Sequence, residues 1–336
     1  MGQQGKSTRK AARLAAIFLG TLMPWLGPVS TRGQTANNAQ LEQDRPAGTF
    51  AEGSAARFRV SSDLVLVPVT VLTANGRVVP GLEKEHFSVF EDHTEQTITH
   101  FTSEDAPATI GFVFDISDSM ERNMVKSREA VHAIVGVAHP KDEFFFVSFN
   151  DWPAMNVRMT TNAEDVNMAA DTLRVHGATA LIDAVAMALR EMNAHAHYTR
   201  KAIIVISDGD DNSSHMTVDE LKQFACSSDT LIYTLFVGDM PDFSYQRRSD
   251  SRGPGLLEFI AKQSGGRMFV VNKLKQLPEI AKRIGAWVRS QYVLGYVPSA
   301  ASKDGQYHKI QVKIRKPDGF PRLQVTWRLG YYAPNQ

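Results

Sequence analysis

The stretch that decides the fold is Ile110-Gly-Phe-Val-Phe-Asp115-Ile-Ser117-Asp-Ser119-Met120, an apolar run that stops on a carboxylate and two hydroxyls. An unbroken apolar run suits a strand covered on both faces, as in a parallel sheet, rather than one with a wet side. Three more runs share this character: Phe144-Phe-Phe-Val-Ser-Phe149, Ala202-Ile-Ile-Val-Ile206 and Leu231-Ile-Tyr-Thr-Leu-Phe-Val237. Around them the apolar spacing turns helical near 120–138, 163–173, 181–194, 217–226, 255–264 and 274–289. Thr217-Val-Asp-Glu220 supplies a capping start for the fourth of these. Strands alternating with helices over 110–289 predict a doubly wound α/β domain with a mostly parallel sheet.

On either side the period changes to two. Upstream, Leu64-Val-Leu-Val-Pro-Val-Thr-Val-Leu72 is rich in β-branched residues, and Asn75-Gly76 marks a turn before Val78-Val79. Phe87-Ser-Val-Phe90 and Gln96-Thr-Ile-Thr-His-Phe101 read as two further strands around a polar turn. Downstream, Tyr292-Val-Leu-Gly-Tyr296 precedes two alternating runs. Ile310, Val312 and Ile314 interleave with polar residues, as do Leu323, Val325 and Trp327. Each flank is short for a β domain of its own. We therefore expect 58–104 and 290–334 to pack together as one sandwich-like domain, with the α/β domain 105–289 inserted between them.

Composition bounds the function. The 336 residues carry 37 Lys+Arg against 36 Asp+Glu, a formal net charge of +1, with 43% hydrophobic residues. That is a folded protein without the basic excess that nucleic acid or an anionic membrane would call for as the main partner. The single cysteine, Cys226, excludes an internal disulfide and Cys-based zinc or iron–sulfur sites. At the start, Lys6, Arg9, Lys10 and Arg13 precede the apolar run Leu14-Ala-Ala-Ile-Phe-Leu-Gly-Thr-Leu-Met-Pro-Trp-Leu26 and then small residues. This is the order of a secretory signal over 1–33, too short for a comfortable bilayer span, with an uncleaved anchor as the alternative. Residues 34–57 read as a polar linker. The expectation is an exported protein, periplasmic or secreted, with no stable membrane span once the signal is removed.

Chemistry concentrates at the end of the first α/β strand. Ligands of open α/β sheets bind outside the carboxyl ends of the strands. Asp115, Ser117 and Ser119 are hard oxygen donors suited to Mg²⁺, Ca²⁺ or Mn²⁺. Gly177-Ala-Thr179 and Ser207-Asp208-Gly209 are further oxygen sources that the topology brings to the same edge. In that order these residues resemble the metal-ion-dependent adhesion site of the von Willebrand factor type A domain, a Rossmann-like fold, and the resemblance covers roughly 105–289. Val79-Pro-Gly-Leu82, Phe87-Ser-Val-Phe-Glu-Asp92 and Tyr292-Val-Leu-Gly-Tyr296 are similar to a secreted acidobacterial subfamily. The resemblance implies direct coordination by Ser117 and Ser119. It implies contact largely through water for Asp115 and Asp208, and a state-dependent role for Thr179. It further implies a divalent cation, most simply Mg²⁺, that engages an exposed Asp or Glu of a protein ligand, and a shift of the last helix on binding. Two departures stand out: Asp118 replaces a common glycine, and Asp210-Asp211 add negative charge that would neutralise the ion.

Other candidates are weaker. His195 and His197 do not share a helix face, and Cys226 has no base near it in sequence. No nucleophile elbow, zinc-protease helix or phosphate loop is present, and no general base stands beside the proposed site. We therefore expect no enzyme. Arg247, Arg248 and Arg252 follow the strand ending at Val237, on the same sheet edge, and are expected to help select an acidic partner. The competing reading is a structural assembly protein of the cell envelope whose metal only stabilises the fold.

Overall fold

The computed structural model describes residues 64–103, 105–238, 253–298, 304–317, 319–320 and 322–333. The expected leader and linker lie outside them, as do residues 58–63 and Arg247, Arg248 and Arg252.

The chain begins with β1 (Val65–Thr73), β2 (Phe87–Glu91), β3 (Thr94–Gln96) and β4 (Ile98–Thr102). The α/β part follows: β5 (Ala108–Asp115), α1 (Met124–Val135), β6 (Glu143–Phe149), β7 (Pro153–Thr160), α2 (Ala163–Thr172), α3 (Leu181–His195), β8 (Arg200–Ser207), α4 (Val218–Ser227), β9 (Leu231–Phe236), α5 (Pro254–Ser264), β10 (Met268–Val270) and α6 (Leu277–Arg289). The last strands are β11 (Tyr292–Tyr296), β12 (Tyr307–Ile314), β13 (Leu323–Trp327) and β14 (Gly330–Tyr332).

The six-stranded sheet has the order β10-β9-β8-β5-β6-β7. All its ladders are parallel except β6 with β7. Because side chains alternate along a strand, β5 sends Phe112 and Phe114 to one core and Val113 to the other. The first core receives α1, α2 and α6, the second α3, α4 and α5. Burial on both faces is why these strands read as unbroken apolar runs. At Gly111 an added Cβ would overlap the Phe145 ring of the neighbouring strand, so glycine makes room for that ring on β5. The capping box at Thr217 and Glu220 starts α4 as its spacing indicates.

Two antiparallel sheets, β13-β1-β11-β4 and β14-β12-β2-β3, are built jointly from strands before and after the α/β part. Val65, Val67, Val69 and Val71 of β1 share one core with Val89, Leu294, Ile310 and Val312, so the sheets face each other as a sandwich. The opposite face of β1 is buried as well, with Leu72 belonging to the core under α1 and α6. Pro68 is tolerated within β1 because β13 pairs with it only from Val69 onward.

Some details differ from the sequence reading, which did not expect the short strand β14. The run 96–101 is not one strand: β3 ends at Gln96 in one sheet and β4 starts at Ile98 in the other, so the chain switches sheets at Thr97. An edge strand, β7, was not anticipated. Its period-two signal exists, with Ala154, Asn156 and Arg158 alternating with Met155, Val157 and Met159. It is diluted by the leading Pro153 and by partial exposure along its length.

Candidate metal and ligand site

The site is built where β5 ends. Asp115, 0% exposed, lies level with the last residues of β6 and β8 in the parallel register. Its Oδ1 accepts from the Ser117 N–H at 2.9 Å and from the Ser117 hydroxyl at 2.6 Å. Its Oδ2 accepts from the Ser207 hydroxyl at 2.6 Å. Ser117 Oγ lies 3.2 Å from Ser119 Oγ. Ser117 precedes a 3-10 helix, Asp118–Asn123, anchored in the core by buried Met120. The chain thus turns sharply after Ser117, leaving Ser119 exposed.

Burial pushes the Asp115 carboxyl up to about 7, with the neighbouring Asp208 charge acting in the same direction and the three hydrogen bonds opposing it. Hydrogen bonds to its charged form offset part of that burial cost, and a positive partner would offset more.

Thr179 is brought in by a loop zipped to this turn. The His176 N–H donates to Ile116 O at 2.8 Å and the Asp118 N–H to Gly177 O at 3.1 Å. Gly177 sits at φ +86°, where an added Cβ would also overlap the Asp151 carboxylate. Asp151 in turn accepts from the Ala178 N–H at 3.2 Å. The Thr179 N–H donates to Asn212 Oδ1 at 2.8 Å, and Thr179 O accepts from the N–H groups of Asn212 and Ser213. Thr179 is therefore fixed from both neighbouring loops, at 2% exposure.

Asp208 follows Ser207 at the end of β8. Gly209, at φ +84°, turns the chain against the Gly253 backbone, leaving no room for a Cβ. Of the extra acids, Asp211 serves α3: its Oδ1 accepts from the Ile182 N–H at 3.2 Å and the Ser214 hydroxyl at 2.6 Å. That carboxylate caps a helix start. Asp118 is exposed at the start of its 3-10 helix.

The structure thus gathers Asp115, at the end of β5, with Ser117, Ser119, Thr179 and Asp208 on the loops at the carboxyl edge of the sheet. The donor set fits a hard divalent cation: two carboxylates and three hydroxyls, all oxygen. Among the described residues no group of three or more His, Cys, Asp or Glu is arranged to hold a metal, so a cation at this edge depends on the hydroxyls. Elsewhere, His195 and His197 pair separately with Glu191 and Glu143. Cys226 is buried, its thiol pushed up by desolvation.

The sequence reading did not assign roles to Ser207, Asp151 and Asn212. Ser207 was visible inside Ser-Asp-Gly, but only the structure shows its hydroxyl turned onto Asp115. Asp151 and Asn212 act across loops distant in sequence and leave no local signal.

A family model described as the von Willebrand factor type A domain matches residues 109–283. A Borreliella burgdorferi (strain B31) protein described as uncharacterized is 25% identical over 188 residues, covering 50% of this chain and 54% of its own. The chain therefore spans about half the length of that curated relative. Among solved structures, von Willebrand factor type A from Catenulispora acidiphila is 13% identical, covering 82% of this chain and 74% of that one, TM-score 0.44. Proximal thread matrix protein 1 of the mussel byssus, with a zinc-occupied MIDAS motif, is 17% identical, covering 59% and 49%, TM-score 0.42.

Proposed function

The chain belongs to the von Willebrand factor type A domain family, and on that premise we propose that it is an exported, non-enzymatic binding protein. In this reading Asp115, Ser117, Ser119, Thr179 and Asp208 hold a divalent cation, most simply Mg²⁺, and the partner is a protein with an exposed Asp or Glu. The observation that carries the reading is the buried Asp115 carboxylate, held by Ser117 and Ser207 and joined through Ser117 to the exposed Ser119. A divalent ion held by these residues would supply positive charge that the neutral hydroxyls leave partly uncompensated, and would favour a carboxylate ligand. The protein's own task is positional. Ser207 and the Ser117 N–H fix the Asp115 carboxylate, and Asn212 fixes Thr179. The 3-10 turn leaves Ser119 at the rim.

Cation titration by calorimetry tests the first step: wild type binds Mg²⁺ or Mn²⁺, and Ser119→Ala and Asp115→Asn lose most of that affinity. The second step is a pull-down from envelope extracts with wild type and Asp115→Ala, each with Mg²⁺ and with chelator. Identical proteins captured in all four conditions would sink the adhesion reading. A large fall in melting temperature on chelation favours instead the envelope-assembly alternative, in which the ion serves only the fold.

A further inference from the structure

Away from the metal edge, the segment from β10 through α6 carries one sign of charge. Between Arg267 and Arg289 stand six cations, with Glu279 as the single carboxylate. Arg289 is engaged, donating to Val137 O and pairing with Asp105. The other five, Arg267, Lys273, Lys275, Lys282 and Arg283, take part in none of the ion pairs among the described residues. Neither does Arg77, which the turn after β1 brings alongside.

Four contacts tie Arg267, Arg283 and the turn that carries Arg77 into one seam. Trp287 of α6 donates its indole N–H to Gly76 O at 3.1 Å, locking that turn to the helix. The Arg283 guanidinium packs on the same turn, against Gly76. Arg267 and Arg283 both lie over the buried Trp287 ring, at 5.2 and 5.4 Å from its centroid. Both guanidinium groups thus lie against one aromatic ring, Arg267 also donating to Gln324 Oε1 at 3.5 Å. Among the described residues neither has a carboxylate partner, and guanidinium is well suited to phosphate. Beside them, Lys273, Leu274 and Lys275 form an exposed tip, Leu274 at 46% exposure. Lys282 extends the exposed charge two turns along α6.

We propose that this seam, Arg77, Arg267, Arg283 and the Lys273–Lys275 tip with Lys282, docks on an anionic phospholipid surface. Charge complementarity selects the occupant's sign. The Lys-Leu-Lys tip selects a bilayer over a soluble polyanion, because an exposed leucine between two lysines gains by entering acyl chains while the ammonium groups stay at headgroup level. The proposal is independent of the metal reading: the seam shares no residue with the cation site.

The test uses the full-length chain with vesicles of phosphatidylcholine alone or with about a third phosphatidylglycerol, at moderate salt. Amine footprinting reads lysines one by one, so any attraction through the N-terminal residues does not enter. The expected result is protection of Lys273, Lys275 and Lys282 only on the phosphatidylglycerol vesicles, lost in high salt, with Lys222 of α4 as the unprotected control. Removing three charges in K273Q/K275Q/K282Q lowers the seam's vesicle affinity by roughly a hundredfold. Leu274→Ser weakens it severalfold, with circular dichroism and melting temperature unchanged in both variants. Equal footprints on the two vesicle types, or unchanged affinity of the triple variant, would overturn the proposal. So would protection by soluble polyphosphate as strong as that by vesicles and insensitive to Leu274→Ser, which would make the occupant a soluble polyanion.

Discussion

Ser207→Ala is the sharpest probe of how the site is held. The Ser207 side chain is fully buried and makes two hydrogen bonds: it donates to Asp115 Oδ2 at 2.6 Å and accepts from the Gly209 N–H at 2.8 Å. The first has a buried carboxylate as acceptor, and such bonds contribute about 1.5–3 kcal/mol. The second leaves a buried N–H unsatisfied on truncation, at a cost of about 1–3 kcal/mol. The two share one oxygen and are not additive, so the expected loss is about 3 kcal/mol. For a domain of this size that corresponds to a fall in melting temperature of roughly 5–10 °C. The assay is denaturant unfolding in chelator, so that no cation compensates, followed by Mg²⁺ titration of the folded variant. Stability falls and cation affinity falls with it, because Asp115 loses one of the groups that aim it. A loss below about 0.5 kcal/mol, within the range of an ordinary surface change, would refute the claim that Ser207 holds Asp115. Full stability loss with unaltered cation affinity would refute the claim that this bond serves the site.

Gly177→Ala places a side chain at φ +86° and against the Asp151 carboxylate. It should cost at least about 1 kcal/mol and lower cation affinity by displacing Thr179, both measurable in the same titrations. Tyr296→Phe removes one of two phenols, at 2.6 and 3.0 Å, that donate to buried Glu91. The sandwich should lose about 2 kcal/mol in denaturant unfolding, while cation binding stays as in wild type. His308, its side chain 12% exposed and stacked on the Tyr331 ring, donates in its protonated form to Asp92 at 2.8 Å and to Asp304 at 3.3 Å. Its pKa is raised above the ordinary 6.5 because the two carboxylates outweigh burial, and Asp92 is lowered below 3.8 by its bonds to Lys309 and His308 despite partial burial. The histidine contribution is therefore complete below pH 6.5 and lost as pH rises through the raised value; that of Asp92 is complete above 3.8 and lost as pH falls. Unfolding free energies between pH 4 and 9 should decline from this cluster on the alkaline side of 6.5, a slope that His308→Gln abolishes.

What could be read from the chain beforehand followed from periodicity. The β5, β6, β8 and β9 runs are unbroken because helices cover both faces, so burial wrote itself into composition. The sandwich strands β2 and β12 alternate because one face is wetter, whereas β1 and β11 are covered on both faces. The joint packing was expected from the shortness of each flank. The switch of sheets at Thr97 was invisible because residues on both sides keep the same alternation; only the pairing partners change. At the site, Asp115, Ser117 and Ser119 were legible as one short motif at a strand end. Thr179 and Asp208 needed the topology that brings three loops together. Ser207, Asp151 and Asn212 were not legible as supports, since each works through the direction of a single hydrogen bond across chain segments far apart.

The pairing of Thr102 in β4 with Val293 in β11 has a consequence for how the chain folds. The two ends of the α/β domain leave as cross-strand neighbours, and the Tyr292 phenol reaches Val79 O across 213 residues of sequence. In an unfolded chain such pairings require closing a very long loop, which is slow and entropically costly. Once the α/β domain has formed, the same strands are delivered side by side, and the loop is closed in advance. The sandwich then zips as though its halves were contiguous, so a lesion in the inserted domain should surface first as unpaired, aggregation-prone strands in the other.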